Sequence, residues 1–120
     1  MNEGTFKDGH PRIVLQLIGD AEPFDVEFIV DTGFDGDISL PRSIAQRVVR
    51  SSTGFREHKF ADGRRERFEI FETRLLWHDS ERTVELLVLE GEPLLGTELL
   101  ADYLLQVEVV EGGNVLIEPL

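Results

Sequence analysis

The feature that most constrains this chain is a recurring period-two alternation of apolar residues, interrupted at short intervals by turn-forming residues. Ile13, Leu15 and Leu17 alternate with Val14, Gln16 and Ile18, and Phe24, Val26, Phe28 and Val30 alternate with Asp25, Glu27 and Ile29. Successive strand side chains point to opposite faces, so this pattern suits strands laid against a core. "GDAEP" between the two runs supplies the turn of a hairpin, whose second strand delivers the chain to Asp31. Further on, Phe55–Phe60 and Arg64–Phe71 read as strands flanking Ala61-Asp62-Gly63. Asp-Gly between strands is a strong hairpin signal, because both residues tolerate positive φ. "TRLLW" and "TVELLVL" form another strand pair around "HDSE", and Val107–Val110 and Val115–Ile117 flank "EGGN".

Two stretches change period. In "LPRSIAQRVVR", Ile44 and Val48 lie four apart behind Pro41, which suits an early helical position. In "LLGTELLADYLL", Thr97 reads as an N-cap, and Leu99, Leu100, Tyr103 and Leu104 mark one face of a second short helix. The expectation is a mostly-β barrel or sandwich, about seven or eight short strands with one or two short helices. A weak internal echo accompanies it. "FDVEFIVDTGF" and "VELLVLEGEPLLG" each run an apolar strand into a glycine turn, with a helix some way on.

At 120 residues the chain is expected to be one domain, 1–120, with a single core. It has no cysteine, which excludes a disulfide scaffold and thiolate metal sites and fits a reducing, cytoplasmic setting. The longest apolar run, Leu86–Leu89, is far below the ~20 residues that span a bilayer, so no membrane partner is expected. "MNEGTFKDGHPR" has no apolar segment of the signal-peptide kind. A formal charge of −12 argues against general nucleic-acid binding, which rests on neutralising phosphates. Five basic residues between Arg56 and Arg67 are the local exception, read as the solvated face of a hairpin or, second, as a lip favouring acidic substrates.

"FIVDTGFDGDISLP", residues 28–41, carries the chemistry. A calcium loop counted from Asp31 would have Gly33 at its third position and Arg42 where a bidentate Glu belongs, so no such metal site is expected. His10, His58 and His78 lack ligand-like spacing. Asp31 closes an apolar strand, where an ionised carboxylate is costly unless it is hydrogen-bonded. Gly33 lets backbone N–H groups approach it, and Thr32 offers a hydroxyl that donates and accepts. A plain Asx turn closing a hairpin is the alternative at this point.

With "LLGTELL" some sixty residues downstream, this stretch resembles the retropepsin-like aspartic proteases, especially the small single-domain prokaryotic members of clan AA. The resemblance covers nearly the whole chain. It implies a closed β barrel that is an obligate homodimer, an endopeptidase acting on peptide or protein substrates without metal or cofactor. Asp31 would be the catalytic carboxylate, Thr32 would brace the paired loops across the two-fold axis, and Gly33 would bring amides near the dyad. Ala61, Asp62 and Gly63 would form the flap tip over substrate, and Leu94, Leu95 and Gly96 would pack beneath the active-site loop. Two such carboxylates about 3 Å apart share one proton and titrate as a pair. Phe34 departs from the Ala or Ser that many members carry, and would narrow the cleft or fill a dimer seam. A catalytically silent homodimerisation or peptide-binding module of the same fold is the alternative.

Overall fold

The computed structural model describes residues 2–120. Strands β1 (Asn2–Lys7), β2 (His10–Leu17) and β3 (Phe24–Val30) come first, then β4 (Ile38–Leu40) and helix α1 (Arg42–Ala45). They are followed by β5 (Ser51–Lys59), β6 (Arg65–Trp77), β7 (Ser80–Val88), β8 (Leu94–Leu95), helix α2 (Thr97–Leu100), β9 (Tyr103–Val107) and β10 (Asn114–Pro119). The mostly-β expectation holds. All ten strands join one sheet, ordered β5-β6-β7-β4-β8-β3-β2-β1-β10-β9. Leu17 of β2 also pairs with Leu75 of β6, closing β2, β3, β8, β4, β7 and β6 into a ring.

Alternation explains how the ring encloses its core. Ile13, Leu15 and Leu17 on β2, and Val26, Phe28 and Val30 on β3, point inward. They meet Leu75 and Trp77 of β6, Val84 and Leu86 of β7, and Leu40 and Leu95 of the short central strands. Each fully buried side chain of this size contributes about 1.5–3 kcal/mol by leaving water.

The sequence echo is realised in the topology. β3 runs parallel to β8, with Val30 opposite Leu95, and β7 runs parallel to β4, with Val88 opposite Leu40. β4 and β8 are antiparallel. The two halves are therefore related by an approximate two-fold, and β3 and β7 deliver their C-terminal ends to opposite sides of the ring. Asp31 N donates to Leu95 O at 2.9 Å, and Leu89 N donates to Leu40 O at 3.0 Å. Leu89 is thus the counterpart of Asp31.

Several expected boundaries are corrected. Arg64–Phe71 and "TRLLW" are one strand, β6, turning into β7 at His78–Asp79, both at positive φ. Tyr103 and Leu104 belong to β9 rather than α2, because Asp102 at φ 71° ends the helix. Tyr103 instead stacks on His78, with ring centroids 4.7 Å apart. Thr97 is the first helical residue, with Gly96 as the cap, and its hydroxyl donates to Phe34 O at 3.3 Å. β9 ends at Val107, so Val109 and Val110 lie in an exposed turn. β1, β4 and β8 were not foreseen as strands.

Candidate active site

The loop 31–37 leaves β3 and folds back over the end of β8. Asp31 sits half-exposed at the mouth of the ring, with its Oδ1 accepting Gly33 N at 2.8 Å and its carbonyl accepting Phe34 N at 3.2 Å. A Cβ on Gly33 would stand 3.2 Å from that Oδ1, so glycine keeps the approach open. This is an Asx turn, yet it does not close a hairpin, because β3 and β4 pair with β8 from either side. Thr32 and Gly33 are exposed.

Leu94, Leu95 and Gly96 lie against this loop. Gly96 N donates to Asp37 O, Thr97 N to Phe34 O and Glu98 N to Gly36 O, at 2.9, 2.9 and 3.2 Å. The backbone is so close that a Cβ on Gly96 would fall 2.2 Å from Gly36 O and 2.7 Å from Phe34 Cδ2. A Cβ on Gly36 would meet Phe34 Cζ at 2.7 Å. Phe34 is therefore seated against two glycines. It is buried with Ile70 and Leu87, and Phe68 and Leu94 pack on the cluster. Its ring is covered by its own chain, so it needs no dimer seam to bury it.

Ala61, Asp62 and Gly63 form the β5–β6 hairpin tip, with Phe60 N donating to Arg64 O and Asp62 Oδ1 accepting Arg64 N. Only Gly63 of the Asp-Gly pair takes positive φ, 85°. The tip lines neither of the two clefts beside the loop. Lower down, Arg56, His58, Phe68 and Ile70 line a cleft of about 280 Å³ together with Phe34 and Asp37. Asp37 Oδ2 accepts Glu85 N at 2.9 Å, and burial pushes the Asp37 carboxyl above the usual carboxylate range despite that hydrogen bond. Asp31 and Thr32 line the other cleft, about 440 Å³, whose walls include Ile29, Leu94, Leu105 and Val107.

The basic run on the hairpin is largely neutralised at home. Arg56 pairs with Glu85 at 2.8 Å, Arg65 with Glu57 at 2.9 Å and Arg64 with Glu66 at 3.0 Å, while Arg67 lies over the Phe55 ring. These pairs support a solvated hairpin face over a lip for acidic ligands. Among the described residues no group of three or more His, Asp or Glu side chains converges as for a metal ion, and no helix is long and apolar enough to cross a membrane.

Sequence reasoning placed Asp31, Gly33 and Gly96 but missed the Phe34 seat, the inward carboxyl of Asp37 and the β9 wall of the Asp31 cleft. The two glycines at 36 and 96 were the available signal for the first of these. A scan against protein-family models gives no match to this chain, and a search of curated proteins gives none either.

Proposed function

We propose that the chain is an aspartic endopeptidase of the retropepsin-like type, working as a homodimer in which the two Asp31 carboxylates meet on a two-fold axis. On this reading the six-strand ring is the closed barrel of that type, and the protein works in a reducing cytoplasm. The observation that carries the reading is the preset carboxylate: strand-end Asp31, held by Gly33 N–H at 2.8 Å and by Leu95 through its own N–H. The internal two-fold adds to it. Leu89 stands at the equivalent position on the far side, so one chain offers one such acid and a second copy must bring the other.

The chemistry follows from sharing one proton between two acids. The ionised carboxylate takes a proton from a water held between the pair, and that oxygen adds to the scissile carbonyl carbon. The neutral carboxyl donates its hydrogen bond to the carbonyl oxygen. Transfer of a proton to the amide nitrogen lets the C–N bond break, giving a new carboxyl and a new amine. Thr32 braces the paired loops, and the 61–63 tip closes over an extended peptide.

One observation favours the silent module instead: Phe34 fills the space between the loop and the hairpin base. A diverse peptide pool incubated at several pH values and read by mass spectrometry separates the two. Cleavage by the wild-type chain and none by Asp31→Asn upholds the endopeptidase. Equal cleavage by both, or by neither, rejects it.

A further inference from the structure

The sheet has two free edges, and they are built differently. β5 carries Arg56, Glu57, His58 and Lys59 and a register irregularity between Ser52 and Gly54. Charges and bulges of this kind keep an edge from pairing with another chain. β9, "YLLQV", has no charged residue and no proline, and its register with β10 is regular from Tyr103 to Val107. Among the described residues it pairs with β10 alone. The strands nearest the chain ends offer no such edge, since β1 lies between β2 and β10, and β10 between β1 and β9.

The unprotected edge adjoins Asp31. Leu105 and Val107 of β9, with Val109 beyond it, line the Asp31 cleft opposite Phe6, Ile29 and Leu94. In a chain that is 30% charged, only Asp31 and His10 among the eleven residues of that lining are ionisable. Val109 and Val110, 73% and 63% exposed, extend the apolar surface past the end of the strand. Charge depletion around an apolar centre marks the core of a protein interface. Because a two-fold through paired Asp31 residues puts the surface beside them against the partner, the occupant this surface fits is a second copy.

We infer that the second copy docks through the outer edge of β9 and the apolar cleft beside Asp31, with β9 pairing antiparallel to β9 of its partner. This rests on the homodimer of the proposed function and names the surface that forms it. The self-complementary arrangement is isologous, each Val109 packing at the partner's cleft.

Amide hydrogen exchange on the wild-type chain, across concentrations that span association measured by light scattering, tests the inference. The expected result is that the β9 amides facing away from β10 gain protection as the dimer fills, while those of β5 do not change. Gln106→Lys, which sets like charges across the pairing, should weaken association at least about tenfold. Dimers whose β9 amides exchange at the same rate at every concentration overturn the inference, as does a Gln106→Lys chain that associates as tightly as wild type. A chain that stays monomeric and protects β9 only when an extended peptide is added also overturns it. The two readings fail separately: Asp31-dependent cleavage by a dimer with an unprotected β9 sinks the docking surface alone. Copies that join through β9 yet cleave nothing sink the endopeptidase alone.

Discussion

The two ends of the ring come from related pieces of backbone and are finished in opposite ways. At one end Asp31 N bonds Leu95 O, the loop 31–37 is pressed so tightly against the end of β8 that Gly96 admits no Cβ, and a Cβ on Gly36 would meet the Phe34 ring. At the other end Leu89 N bonds Leu40 O, the connection 89–93 is shorter, and Pro41 stands where the first end has Gly96. There Glu90 Oε2 accepts Arg42 N at 2.9 Å and serves the start of α1. The same framework thus holds a carboxylate toward a cleft at one end and spends one on helix capping at the other. Where a side chain must be presented, the backbone around it is packed hard; where the chain only turns, ordinary side chains suffice.

The sharpest way to break this comparison is at the acids themselves. Asp31→Asn should lower peptide hydrolysis by about 10³-fold or more, with the melting temperature close to wild type, as measured by peptide cleavage and calorimetry. Cleavage that survives the change would make the two ends functionally alike. Next in size is Gly96→Ala, expected to destabilise by about 4 kcal/mol in urea titration, because the added methyl meets backbone oxygens that cannot move aside. Pro41→Ala at the other end should stay within about 1 kcal/mol, since Pro41 is a partly buried N-cap that makes no side-chain cap hydrogen bond.

Phe34→Ala should cost about 3 kcal/mol and leave a void beside Ile70 and Leu87. If the ring limits the cleft, the same variant admits bulkier peptides, read from the cleavage-site pattern. Glu90→Ala should cost only about 1 kcal/mol, the loss of a helix cap, and leave hydrolysis unchanged.

The smallest effect concerns pH. Burial raises the folded-state pKa of Asp37 above its unfolded value, so the folded chain holds more protons there. Its contribution to stability is greatest below the unfolded carboxylate range and declines as pH climbs through the raised folded value. Asp37→Asn removes that decline. The melting temperature of the variant minus that of wild type should therefore rise with pH across this window, and a difference that falls would reverse the assignment.

How much of this was legible in the sequence depended on how local each cause is. β2 and β3 could be read because Ile13–Leu17 and Phe24–Val30 carry the period of a half-buried strand. β1 could not be read from "NEGTFK", which has almost no apolar pattern, although Asp8-Gly9, both at positive φ, is the same turn signal used at Asp62-Gly63. β8 is two residues long and exists only because β3 and β4 flank it. The misread helix end has a single cause: Leu99, Leu100, Tyr103 and Leu104 keep helical spacing across Asp102, whose left-handed backbone breaks the helix. At the site, Asp31 to Gly33 was visible as a strand entering a turn. The Phe34 seat was not, because it depends on the loop crossing Gly96 some sixty residues away.

One pairing bears on how the molecule comes into being. β1 lies between β2 and β10, with Gly4 opposite Ile13 on one side and Val115 on the other. During synthesis β2 follows β1 at once, whereas β10 is made long afterwards, with every other strand in between. The growing polypeptide must therefore carry an open strand edge on β1 until β10 has been made. Pairing between strands so distant in sequence is slow to form, and the unpaired edge is exposed to aggregation in the meantime.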